Sequence, residues 1–224
     1  MHAEWSVEIG PQSECLEVPW RSEDGAQRFY DLRSHPELLL HITETHENRE
    51  LGGLLAALNA PPSFLSTAKC DVWATDSLHE LNEEERELGL AHKFASYVDV
   101  VFSDAASRLD FTRHEAIAKS LCELLSRAPE FAARVECVLR RCFFHVGAGD
   151  NATNARPDAM DTALNAKVAG SGVMAARVDE SEDGFAVTIY LSGYGADATS
   201  ARKSWAIALK LLENALRQLN AQAK

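Results

Sequence analysis

Imidazole and carboxylate groups gather at two places in this 224-residue chain, where they could hold a metal ion or move a proton. Trp73, Asp76, His79 and Glu80 fall in one stretch, and His145 and Asp150 in another. His79, Glu80 and Asp150 are the candidate metal ligands. His79 and His145 with nearby carboxylates are the candidate acid–base groups of a hydrolase or metal-dependent enzyme. The spacing matches no established metal motif, since neither H-E-x-x-H nor C-x-x-C occurs. Polar residues at strand ends are also ordinary surface chemistry, so a solvated role competes with the catalytic one.

Other motifs resolve into structural roles. Gly193-Tyr194-Gly195-Ala196-Asp197 could offer backbone N–H groups to an anion at a helix start. It lacks the third glycine of a dinucleotide fingerprint and the Gly-Lys-Ser/Thr of a P-loop. Asp197 would repel phosphate there, and a tight turn capped by Asp197, Thr199 or Ser200 is expected. The stretch from Gly147 to Asn154 has the composition of a calcium loop. Counting from Asp150, however, Ala152 takes a ligand position and Ala155 the position that requires glycine. No G-x-S-x-G occurs, and on a strand Cys142 and His145 would point to opposite faces, which argues against a Cys–His pair. No pattern specifies a cofactor.

The charge narrows the partners. A formal net charge of −12 disfavours nucleic acid and anionic membranes, because binding a phosphate backbone depends on Lys and Arg. The densest basic stretch, Arg134 to Arg141, is thin. No apolar run approaches the roughly 18 residues of a membrane span, and no secretory leader is visible. Five cysteines without a C-x-x-C pair point to free thiols and a cytoplasmic location.

The elements that must position these residues follow a plan that occurs twice. Val98-Asp99-Val100-Val101-Phe102-Ser103 matches Val187-Thr188-Ile189-Tyr190-Leu191-Ser192. Each run leads to a helix carrying Ala-Ile-Ala, at Ala116-Ile117-Ala118 and Ala206-Ile207-Ala208. Upstream of each lies a basic–Cys step into an apolar run, Lys69-Cys70 and Arg141-Cys142. The expected fold is α+β: duplicated β-β-α units forming a mainly antiparallel sheet, with two helices packed on one face. It is read as a single domain, with an N-terminal β/α extension over 1–62, a first unit over 63–128 and a second over 129–224.

Within it, strands are expected at Ser63–Thr75, Phe94–Ser103, from about Val135 to Val146, and Phe185–Ser192. Short strands are expected at Trp5–Ile9, Cys15–Val18 and Gln27–Leu32. Helices are expected at Pro36–Ile42, Arg49–Leu58 and Asp76–Ala91, then from a capping box at Thr112-Arg113-His114-Glu115. The connection from Gly147 to Gly184 exceeds the roughly 15 residues of an ordinary loop, and is expected to be functional, to be mobile, or to hide a short helix near Ala159–Ala169.

Alternation splits the strands into two faces. Cys70, Val72, Ala74, Val98, Val100, Phe102, Cys142, Phe144, Val146, Val187, Ile189 and Leu191 form an apolar face for the helices. The opposite face mixes charge with rings: Lys69, Asp71 and Trp73; Asp99; Arg141, Phe143 and His145; Thr188 and Tyr190. Either the N-terminal segment covers this face, or it is a ligand groove or subunit interface. Trp73, Asp71, Arg141, Phe143, His145 and Tyr190 are its candidate contact residues. A non-enzymatic binding or assembly module is the expected function, a metal-dependent enzyme or hydrolase the alternative, and a homo-oligomer the expected partner state.

Overall fold

The computed structural model describes residues 1–25, 27–76, 81, 86, 89–145 and 181–222. Strands β3 (Leu65–Thr75) and β4 (His92–Phe102) precede helices α3 (Ala105–Arg108) and α4 (Phe111–Leu125), and strands β5 (Ala133–His145) and β6 (Ser181–Gly195) precede helix α5 (Ala198–Gln222). The N-terminal part supplies β1 (His2–Glu8), β2 (Cys15–Val18), a 3-10 helix (Pro36–His41), α1 (Glu44–Glu47) and α2 (Arg49–Asn59). The architecture is α+β, with six strands in one mixed sheet ordered β1-β5-β6-β4-β3, and β2 also on β5. The central ladders are antiparallel, whereas β1 and β2 both run parallel to β5 and share its outer edge.

Apolar spacing dictates the helix layer. Leu121 and Leu125 on α4 and Trp205, Leu209, Leu212 and Leu216 on α5 recur at three- and four-residue intervals and are buried. Helix α2 joins them through Leu51, Leu54, Leu55 and Leu58, so three helices cover this face and not two. Beneath them lie Val98, Val100, Phe102, Val135, Cys137, Leu139, Val187, Ile189 and Leu191. Helix α4 starts two residues earlier than the sequence suggested. Asp110, not Thr112, is its cap, accepting from Arg113 N at 3.2 Å. Asp197 caps α5, accepting from Ser200 N at 2.7 Å. Gly193 and Gly195 are not a turn but belong to β6, where α5 crosses so closely that a Cβ on either would meet its backbone.

The β3 faces stand from Lys69 onward, and those of β5 need correction. In β3 the register slips between Thr67 and Lys69, so Ala68 is an extra residue that re-aims the strand. No register shift interrupts β5 as it pairs with β6, so Cys137 lies opposite Ile189 and Arg141 opposite Phe185. Matching Arg141 to Lys69 therefore inverts β5. Cys142 and Phe144 lie on the second face, packed with Ala68, Val101, Ala186, Leu16 and Val18. Arg141, Phe143 and His145 lie on the helix side. Strand β6 also begins at Ser181, earlier than Phe185, and 27–32 is not a strand but joins 21 through a single Arg21–Arg28 bridge. The residues expected to form an acidic helix over 76–91 and a helix near 159–169 lie largely or wholly outside the described ones, as do His79, Glu80, Val146 and Asp150. Among the described residues, no helix is long and apolar enough to cross a membrane.

Candidate functional site

The second face is built from cross-strand rows. One row reads Glu4, Glu136, Tyr190, Tyr97 and Asp71 across β1, β5, β6, β4 and β3. The next reads Ser6, Val138, Thr188, Asp99 and Lys69, and on the other side lie His2, Arg134, Ser192, Ala95 and Trp73. Side chains in one row stand about 5 Å apart, which lets rings on adjoining strands touch. Tyr97 does so on both sides: its ring centroid is 6.4 Å from that of Trp73 and 5.9 Å from that of Tyr190. All three rings are half-buried.

A polar layer anchors the rings from the neighbouring row. Thr188 Oγ1 donates to Asp99 Oδ1 at 2.6 Å, and both residues are 2% exposed. Burial pushes the Asp99 carboxyl up to about 6, against the pull of the Thr188 hydrogen bond and the charges of Lys69 and Arg140. The Lys69 ammonium stands over two rings, 5.0 Å from the Trp20 centroid and 6.0 Å from that of Tyr97. Arg140 donates to Tyr190 Oη at 3.1 Å and to Glu8 at 3.2 Å, and also pairs with Glu14. Burial raises the Tyr97 and Tyr190 phenols, so both stay protonated donors.

The N-terminal segment covers part of this face. From β2 it leads to Trp20, whose Nε1 donates to Ala68 O at 2.8 Å on the far edge strand. That passage shelters the Cys142–Phe144 end and leaves the Trp73–Tyr97–Tyr190 row half-exposed. Of the residues singled out in the sequence, the structure thus brings together Trp73, Asp71 and Tyr190. Arg141, Phe143 and His145 instead form a local group on the other side: Arg141 stacks over Phe143 at 5.4 Å and lies 3.7 Å from Asp183, while His145 meets Glu17 at 3.6 Å.

The two strand ends proposed to share chemistry do not meet. Thr75 ends β3 in the row of Lys93 and Tyr194, whereas His145 pairs with Ser181. The length of β6 between those rows is roughly 40 Å at about 3.3 Å per residue. No cluster of three or more His, Cys, Asp or Glu suited to a metal occurs among the described residues. The thiols of Cys70 and Cys142 are raised by burial, Cys70 to about 12, and are not nucleophiles near neutral pH.

Tyr97, Arg140, Glu14 and Trp20 were not singled out as site residues. Alternation from Asp99 would have found Tyr97, but Arg140 sat on the wrong face once β5 was inverted. Glu14 and Trp20 flank a four-residue strand whose parallel pairing leaves no local signal. No family model matches the chain, and neither a curated protein nor a solved structure is significantly similar to it.

Proposed function

We propose that the chain is a non-enzymatic binding or assembly module whose contact surface is the Trp73–Tyr97–Tyr190 row. The observation that carries this is Tyr97 itself, a half-exposed ring flanked by two others, with the Lys69 ammonium 6.0 Å from its centroid. Half-exposed aromatics fixed in place present large contact area at small entropic cost, the character of an interface anchor. Asp71 and Glu136 lie in the same row, and the chain carries a net charge of −12. A basic protein segment complements them, and a second copy would meet like charge unless it docks through the β3 edge. Five free thiols suit a reducing cytoplasm as the setting.

Light scattering and tryptophan emission test this. A panel of Lys- and Arg-containing peptides with apolar residues should shift the emission of wild-type protein, and the shift should vanish in Trp73→Phe. Tyr97→Ala should weaken peptide binding about tenfold or more without unfolding. A strictly monomeric protein whose Trp73 emission answers none of the peptides would dismiss the reading.

A further inference from the structure

Two thiols meet under the parallel edge of the sheet, on the face opposite the ring row. Cys122 lies in α4 and Cys137 in β5, and both belong to the core between the helices and the sheet. The β1–β5 ladder sets Cys137 opposite Trp5. Trp5 in turn shares with Cys122, Lys119 and Ser126 the lining of a groove of about 440 Å³ between β1 and α4. Cys122 is 6% exposed and Cys137 0%, so the thiol of α4 is the one that solvent reaches, with the other behind it.

The two thiols are hydrogen-bonded to one another, and their roles are unequal. Cys137 Sγ donates to Cys122 Sγ, which holds the Cys122 thiol below the usual range and pushes that of Cys137 up. The sulfur beside the groove is therefore the better nucleophile, and its buried neighbour keeps its proton. Cys70 and Cys142 differ, since burial raises both. Two sulfurs in hydrogen-bond contact need only a short approach to reach the roughly 2 Å of a disulfide.

We propose that Cys122 and Cys137 form a reversible oxidation site for hydroperoxides, closing to a disulfide that joins α4 to β5. The exposure of Cys122 selects the oxidant: a thiol so nearly covered admits a water-sized peroxide and not a bulky disulfide. The Cys122 thiolate attacks one peroxide oxygen, an S–O bond forms, the O–O bond breaks, and the hydroxide released takes up a proton as water. Cys137 sulfur then attacks Cys122 sulfur, the S–S bond forms, the S–O bond breaks, and the hydroxide leaves with the Cys137 proton as a second water. Two electrons pass from the sulfurs to the peroxide oxygens. Neither cysteine belongs to the ring row, so the inference stands whether or not that row binds a partner.

Peptide mapping by mass spectrometry decides it. Cys15→Ser removes the exposed thiol, so that only the other four cysteines are scored. Folded Cys15→Ser protein treated with hydrogen peroxide should lose two hydrogens per chain, in a peptide pair joined through Cys122 and Cys137, and dithiothreitol should restore them. Cys70 and Cys142 should stay reduced in the same sample. With Cys137→Ala added, oxidation should stop at a Cys122 sulfenic acid that dimedone captures. With Cys122→Ala added instead, Cys137 should react about tenfold or more slowly than Cys122 does. Circular dichroism checks that these variants fold, and the map of the Cys15→Ser protein decides the matter without them. Failure of the bond to form, a bond joining any other two cysteines in its place, or oxidation of Cys70 and Cys142 as fast as Cys122 would each overturn the proposal.

Discussion

Asp99 and Thr188 face one another across the two central strands, and they are the same position in the two matched sequence runs. Aligning Val98–Ser103 with Val187–Ser192 sets Asp99 against Thr188, and the antiparallel β4–β6 ladder pairs them directly. The hydrogen bond of 2.6 Å between them is buried at the centre of the sheet. A carboxyl there must choose between staying neutral and holding a charge away from water, and its rise to about 6 records that burial prevails.

The pH dependence of stability follows with a definite sign. The folded protein holds the Asp99 proton up to about pH 6, whereas the unfolded chain releases it near the ordinary value of 3.8. The folded state therefore binds more protons in that window, and stability falls as pH rises through it. Two pH units of such mismatch correspond to about 3 kcal/mol. Asp99→Asn keeps an acceptor for Thr188 and removes the charge. Urea unfolding should show the variant gaining on wild type between about pH 4 and pH 6, with a constant difference above.

His114 contributes the opposite slope. It sits in α4 with its ring at 4.7 Å from Phe102 and 5.8 Å from Phe185, and its Nδ1 lies 2.8 Å from the Asp110 carbonyl, placed to donate to it. Burial holds its pKa below the usual histidine range, so the ring is neutral in the fold. The unfolded chain takes up a proton near 6.5, and the stability contributed above that value is lost as pH falls. The His114 ring resonance should titrate below the ordinary midpoint. His114→Phe keeps the aromatic packing and should gain on wild type as pH drops from about 7 to about 5.

Much of the fold was legible because local patterns carry it. Strand alternation in Val98–Phe102 and Val187–Leu191, and the stripe Trp205, Leu209, Leu212, Leu216, each reflect one element burying one face. What failed was non-local. The bulge at Ala68 moves half of β3 by one residue, and nothing near Arg141 reports whether β5 has a matching bulge. The parallel docking of β1 and β2 on β5 depends on contacts over more than a hundred residues, such as Trp5 opposite Cys137. Trp73, Asp71 and Tyr190 were found because their own strands were assigned correctly. Arg140 was lost with the inverted strand.

Gly193 tests how tightly α5 is packed on the sheet. It lies in β6 beneath α5, and an added methyl would fall inside contact distance of the Trp205 backbone nitrogen and the Ala201 carbonyl. Those atoms belong to a helix anchored by Trp205 Nε1 donating to Ser96 Oγ at 2.9 Å, so the helix cannot yield without losing its buried anchor. Gly193→Ala should cost about 2–4 kcal/mol in chemical unfolding. A neutral effect would mean that α5 slides freely on the sheet.

The three groups that favour the Asp99 anion should act in a fixed order. The Thr188 hydrogen bond is the strongest of them, ahead of the charges of Lys69 and Arg140. Thr188→Val leaves the carboxylate with no hydroxyl donor in a buried place, and a hydrogen bond to a charged group contributes about 1.5–3 kcal/mol. The Asp99 midpoint should rise by about one pH unit or more, read from its side-chain carboxyl carbon resonance. Lys69→Met and Arg140→Met should each raise it less, because both cations also lie over rings and act through charge alone. The cost of Thr188→Val should also depend on pH. Above pH 7 the variant must bury an uncompensated charge, whereas below about pH 5 Asp99 carries its own proton and the penalty shrinks. Equal destabilisation at both pH values would place the Thr188 contribution in packing and not in its hydrogen bond.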